Sequence, residues 1–174
     1  MATLEAMATL PGALGDGRIA AFRLDTAHHA RTWDSGEGAR LLGGRWNSVG
    51  QPAVYCALDP ATAILEVAVH KGFETLDRVA HVMTRLHVAA ADDVYVVEPK
   101  TIPNANWLRP CQPSRGQQRF GDALLGAHRF IVIPSAVSTQ SWNLIFNPQK
   151  AVSAYAMLAQ DAFALDTRLH PPAR

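Results

Sequence analysis

The sequence predicts an α+β domain. Three observations lead there: several short strand signals are mixed with a few helices, the two do not alternate regularly, and no linker interrupts the 174 residues. A doubly wound sheet would need strand and helix in regular succession. Neither a Gly-x-Gly-x-x-Gly turn nor a P-loop occurs, so any nucleotide must be held in some other way. With 48% hydrophobic residues the chain can fill a core without disulfides or metals. Residues 1–17, rich in Ala, Gly and Leu and carrying Met-Ala-Thr-Leu twice, are expected to form a poorly ordered tail. Residues 18–174 are expected to form one domain.

Along the chain, residues 18–24 (RIAAFRL) read as the first strand. Residues 27–40 are polar with two glycines and suit a short helix before a turn. Gly43-Gly44 breaks the chain ahead of Arg45-Trp46-Asn47, and 48–52 form a turn built on Gly50 and Pro52. Residues 53–58 (AVYCAL) alternate as a strand, with Tyr55 and Ala57 on one face and Val54, Cys56 and Leu58 on the other. The clearest helix follows. Asp59 is its N-cap, Pro60 fits its first turn, and Gly72 stops it. Residues 79–88 and 93–97 read as a strand pair, and 101–113 as a Pro/Asn-rich loop around Trp107. Ser114 caps a helix reaching Ala127, and the apolar run at 130–133 (FIVI) reads as a central strand ended by Pro134. Residues 135–148 read as loop. Beyond them, 151–160 has a helix-favouring composition, while 163–169 alternates like a strand.

Composition excludes several function classes. Net charge is +1, with 16 basic and 15 acidic residues, and the arginines are scattered, which argues against direct nucleic-acid binding. Cys56 and Cys111 form no Cys-x-x-Cys pair, and the histidines lack metal-ligand spacing, so no metal is expected. No apolar run reaches the roughly 18 residues of a membrane helix, and the N-terminus has no basic n-region. The expected compartment is the cytoplasm, with no membrane partner.

Glu66 stands out physically. It lies mid-helix within an apolar stretch from Ala63 to Val69, and a helix apolar nearly all round is expected to be buried on more than one side. A carboxylate there must be paired or face a pocket, unless it lies on a narrow solvent-facing stripe with Thr62 and His70. Arg45, beside Gly43 and Gly44, offers a planar fork suited to a diphosphate, or serves an ordinary surface ion pair. Tyr55 can stack on a planar ring or pack in the core. Ser135 can bond a ribose or a carboxylate, or simply close a turn. Asn143 and Asn147 flank Phe146 with the same ambiguity.

Taken together, these residues form a recognisable pattern. Gly43-Gly44-Arg45-Trp46-Asn47, Gly50-x-Pro52-x-Val54-Tyr55-x-Ala57 and Ala63-x-Leu65-Glu66 resemble the RES-domain family. So do Ile133-Pro134-Ser135-Ala136, Asn143-x-x-x-Asn147-Pro148 and Asp166-x-Arg168, in the same order. The resemblance implies a fold similar to diphtheria-toxin-type ADP-ribosyltransferases, with a mixed, split β-sheet and a few helices. It also implies a strand in the ambiguous C-terminal stretch. The activity it implies is that of a toxin from a type II toxin–antitoxin system, partnered by an Xre-like helix-turn-helix antitoxin, with NAD as its substrate. The nicotinamide–ribose bond would be cleaved by hydrolysis or phosphorolysis, or with transfer of ADP-ribose to a protein target. In that reading Glu66, Ser135 and Tyr55 are catalytic, and Arg45, Arg23 and Asn143 bind NAD. Lys150 stands where the family often has a loop histidine. A catalytically silent binding module of the same fold is the competing reading, and the sequence leaves a homodimer open.

Overall fold

The computed structural model describes residues 19–109, 113–166 and 168; the expected tail at 1–17 and Cys111 lie outside them. The strands are β1 (Ile19–Thr26), β2 (Val54–Ala57), β3 (His81–Val88), β4 (Val94–Val96), β5 (Phe130–Pro134), β6 (Trp142–Phe146) and β7 (Tyr155–Phe163). The helices are α1 (Glu37–Leu42), α2 (Pro60–Lys71), α3 (Phe73–Arg78) and α4 (Arg115–Ala127). All seven strands join one mixed sheet in the order β4-β5-β6-β2-β1-β3-β7. Only β4 and β5 run parallel; the other neighbours are antiparallel.

The sheet has a seam. β1 pairs with β3 along its whole length, from Ile19↔Val88 to Thr26↔His81, but meets β2 only at Phe22↔Ala57. It therefore divides into the halves β4-β5-β6-β2 and β1-β3-β7, the split arrangement the resemblance implies.

Local chemistry explains the elements that frame this seam. At the start of α2, the Asp59 carboxylate accepts from Thr62 N–H at 2.8 Å and from the Thr62 hydroxyl at 2.7 Å. Such a cap is worth about 1 kcal/mol. Gly72, at φ +80°, takes a backbone conformation costly for other residues, ending α2 and leading into α3. Ser114 Oγ accepts from Gln117 N–H at 3.1 Å and so starts α4 where expected. β5 is buried throughout because both of its faces are covered. Phe130 and Val132 enter a core with Val54, Cys56, Leu144 and Phe146, while Ile131 and Ile133 enter another with Trp46, Leu125 and Ile145.

The second face carries the helices. α4 covers the β5–β6 half through Leu125, Leu124 and Phe120. α2 and α3 cover the other half, where Ala68 and Leu76 pack with Leu24. Residues directly opposite each other across a ladder share a face, so Tyr55↔Ile145, Ala57↔Asn143 and Ile133↔Asn143 put Tyr55 and Asn143 on this helix-bearing side.

Four expectations need correction. Residues 79–88 and 93–97 do not pair with each other. β3 has both edges occupied, by β1 and β7, so β4 crosses to the far edge and runs parallel to β5. The 135–148 segment is not all loop: its run Trp142–Phe146 is β6, a short apolar strand hidden between Ser, Thr, Asn and Pro. The helix-favouring 151–160 stretch is largely strand, because β3 offers β7 a full-length partner and tertiary pairing overrides local propensity. Finally, the apolar stretch of α2, expected to be buried on more than one side, leaves Leu65 and Val69 exposed. Among the described residues no helix is long and apolar enough to cross a membrane.

Candidate active site

Glu66 projects from α2 toward the point where β5 ends and β6 begins. Ile133↔Asn143 and Pro134↔Trp142 are the last pairs of that antiparallel ladder, and Ser135 N–H donates to Ser141 O at 2.9 Å just beyond them. Ser135 and Asn143 are therefore held on the same short loop base. Both reach one carboxylate oxygen: Ser135 Oγ donates to Glu66 Oε1 at 2.9 Å, and Asn143 Nδ2 donates to it at 2.7 Å.

The direction of the serine bond follows from counting protons. Ser135 Oγ accepts from the backbone N–H groups of Val137 and Ser138, each at 3.2 Å. Its single proton is therefore left for the carboxylate. Glu66 Oε1 is thus anchored twice, while among the described residues the His70 imidazole stands beside Oε2, at 3.9 Å. The Glu66 side chain is a quarter exposed, at 24%. Of the two sequence readings, the paired carboxylate is the one observed. Of the proposed polar stripe, Thr62 is buried and bonded to Asp59, while His70 is exposed.

The arginine loop packs on the same helix-bearing side of the sheet, through Trp46. Arg45 is half-buried, and its Nη1 donates to the carbonyl of Trp107. Beneath the loop, the Tyr55 hydroxyl accepts from Trp46 N–H at 3.1 Å and donates to Asn47 Oδ1 at 2.7 Å. Asn47 in turn donates to the carbonyls of Ala39 (2.8 Å), Ser48 (3.2 Å) and Gln51 (2.9 Å). Gly44 is required at the same spot: a Cβ there would stand 2.6 Å from both Asn47 Oδ1 and the Tyr55 hydroxyl. Burial pushes the Tyr55 phenol well above its ordinary range, outweighing the Trp46 N–H bond that lowers it. Weaker effects come from Asp122 and Glu66, which raise it, and from Arg45, which lowers it. Tyr55 is thus a permanent donor lying within the electrostatic reach of both Arg45 and Glu66.

Arg23 is placed differently. Along β1 it shares a face with Ile19 and Ala21, the Cys56 side of the sheet rather than the Glu66 side. Its Nη1 donates to Tyr55 O at 2.7 Å and its Nη2 to Asp25 Oδ1 at 2.8 Å. It clips the seam where ladder hydrogen bonds are missing, supporting Tyr55 from behind. Asn147 serves a turn, accepting from Gln149 N–H at 2.9 Å. Among the described residues no three His, Cys, Asp or Glu side chains gather where they could hold a metal ion.

Sequence reasoning missed the role of Asn47, which is fully buried, and those of Gln118 and Asp122 on α4. Gln118 Nε2 donates to Gly44 O at 3.0 Å, and Asp122 Oδ1 accepts from Ser48 N–H at 3.0 Å. Their only sequence signal is spacing on one helix face, which says nothing about what that face meets.

Comparison with known proteins matches residues 20–168 to the RES domain. The chain is 31% identical over 156 residues to Toxin Res of Photorhabdus laumondii, covering 85% of this chain and 95% of that protein. It is 33% identical over 135 residues to the Prs ADP-ribosylating toxin of Sphingobium sp., covering 70% of this chain and 79% of that one. Among solved structures, the M. tuberculosis MbcT–MbcA toxin–antitoxin complex contains a chain of similar fold. That match has a TM-score of 0.67 and 20% identity, and covers 84% of this chain and 85% of the other.

Proposed function

Because the chain belongs to the RES-domain toxin family, we propose that it cleaves the nicotinamide–ribose bond of NAD between the Glu66 carboxylate and the Arg45 loop. The observation that carries this reading is the asymmetry of Glu66. One oxygen is fixed by Ser135 and Asn143, which leaves the other free to act.

As the C1′–N bond of NAD lengthens, its electron pair moves to the pyridinium nitrogen and positive charge develops on the ribose. A carboxylate held beside that carbon stabilises the charge without having to reorganise. The incoming oxygen nucleophile bonds to C1′ and gives its proton to Glu66 Oε2, acting as general base. Nicotinamide leaves neutral. The Arg45 guanidinium grips the diphosphate through its planar fork, and the Tyr55 ring forms a wall against nicotinamide or its ribose. Ser135 and Asn143 keep the carboxylate aimed. Arg23, tied to Asp25 and Tyr55, acts on NAD through the tyrosine it supports.

The acceptor is water, phosphate or a protein side chain. The name of the Sphingobium relative favours a protein acceptor, and the same site geometry serves all three. The protein acts in the cytoplasm, and its partner is an antitoxin of the Xre-like helix-turn-helix class. The solved toxin–antitoxin neighbour supports an antitoxin partner; the Xre-like class comes from the family resemblance. The test uses NAD labelled in its adenylate phosphate, incubated with purified protein in water, with added phosphate and with cell lysate. Free ADP-ribose, its 1″-phosphate or a labelled protein band identifies the acceptor. Intact NAD in all three, or equal turnover by Glu66→Gln, overturns the reading.

A further inference from the structure

α4 meets the arginine loop along one stripe. Gln118, Gly121 and Asp122 are spaced i, i+3 and i+4, which places them on a single helix face. Each grips a different residue of the loop. Gln118 Nε2 donates to Gly44 O, Ser48 N–H donates to Asp122 Oδ1, and both bonds are 3.0 Å long. Between them Gly121 lies so close that a Cβ would fall 2.0 Å from Trp46 O. Residues 44, 46 and 48 are thus held through their backbones from the α4 side. The side chains of the residues between them, Arg45 and Asn47, reach Trp107 and Tyr55.

We infer that Gln118 and Asp122 are positioning residues for the substrate diphosphate: they fix the backbone on either side of Arg45 and so set the guanidinium. The inference rests on the diphosphate role given to Arg45 above. A bidentate fork is sensitive to orientation in a way a point charge is not, so a loop freed from α4 loses phosphate affinity even with Arg45 present. The carboxylate of Asp122 is needed here only as an acceptor for Ser48 N–H. An asparagine supplies the same oxygen.

The experiment titrates NAD calorimetrically into Glu66→Gln protein, which is expected to bind without turnover, and into the same protein carrying further changes. Asp122→Ala and Gln118→Ala are each expected to weaken NAD about tenfold, and Asp122→Asn by less than about threefold. In an Arg45→Ala background the Asp122→Ala loss is expected to vanish, because the group being positioned is gone. A merely structural role gives the same loss with or without Arg45, and that result overturns the inference. Unchanged affinity in both Asp122→Ala and Gln118→Ala, with Arg45→Ala impaired, also overturns it while leaving the Arg45 assignment intact. Unchanged affinity in Arg45→Ala overturns the diphosphate role itself, and the inference with it. Should Asp122→Ala fail to fold, the Gln118→Ala pair completes the same cycle.

Discussion

Asn143 stands 2.7 Å from Glu66, its amide nitrogen donating to the same carboxylate oxygen that receives the Ser135 proton. The two residues are 77 positions apart in the chain. They meet because β6 pairs with both β2 and β5, which brings Asn143 opposite Ala57 on one side and Ile133 on the other. α2 follows β2 almost directly and returns Glu66 over that point. An amide is the right group here, since it donates to a carboxylate without adding charge.

Asn143→Asp tests this directly. It keeps the shape but sets a second carboxyl against the first, and two carboxylates in contact cannot both ionise freely. Asn143→Asp should therefore lower kcat more than Asn143→Ala, which removes the donor but adds no charge. NAD turnover measures both. Wild-type activity in the two variants would show that Asn143 does not hold the Glu66 carboxylate.

Much of this geometry was legible beforehand, and the rest was hidden for physical reasons. The caps of α2 and α4 are local events, written in Asp59-Pro60 and Ser114 and observed at those residues. The alternation of Tyr55 with Cys56 likewise needs only a period of two. Strand partners are non-local, so the sequence pattern pairs β4 with the wrong neighbour and hides β6 inside a polar stretch. Glu66 was conspicuous as a charge among apolar residues. Asn47 was not, because a turn asparagine and a buried hub look alike in sequence. Lys150, at the position expected to carry a histidine, donates its ammonium to the Gly126 carbonyl near the end of α4.

Alkaline stability follows from two buried acids. Burial raises the Cys56 thiol from 9.0 to about 12, and the Tyr55 phenol likewise from its ordinary 10.0. Above pH 9 the unfolded chain ionises Cys56 while the folded chain does not, so the native state holds more protons. Stability is therefore full below the unfolded value and falls as pH rises toward the folded one. At pH ~10.5 the thiol alone accounts for about 2 kcal/mol of loss. Urea unfolding between pH ~8 and ~11 is expected to show this slope, flattened in Cys56→Ala. An equal slope in the variant would remove Cys56 from the account.

The seam clip makes its own prediction. Arg23→Met leaves Asp25 buried without its cation and the Tyr55 carbonyl without its donor. Breaking one side of a buried pair costs about 3–5 kcal/mol. The Arg23→Met/Asp25→Leu double variant should recover part of that loss, since no lone charge remains. Chemical denaturation measures both. A single variant within about 1 kcal/mol of wild type would mean that the seam is held by packing alone.

Two glycines of α4 separate helix propensity from close approach. At Gly126 a Cβ meets nothing within 4 Å, so Gly126→Ala should stabilise by roughly 0.5–1 kcal/mol through propensity alone. At Gly121 the same methyl would sit 2.0 Å from the Trp46 carbonyl oxygen, a backbone atom that cannot rotate away. Gly121→Ala must push α4 off the arginine loop, at a cost of about 1–3 kcal/mol or more. It should also loosen the Gln118 and Asp122 bonds on either side. Thermal unfolding is thus expected to move in opposite directions for the two substitutions, and NAD affinity should fall only for Gly121→Ala. If both variants gain stability and bind NAD alike, α4 and the loop are not in the contact described.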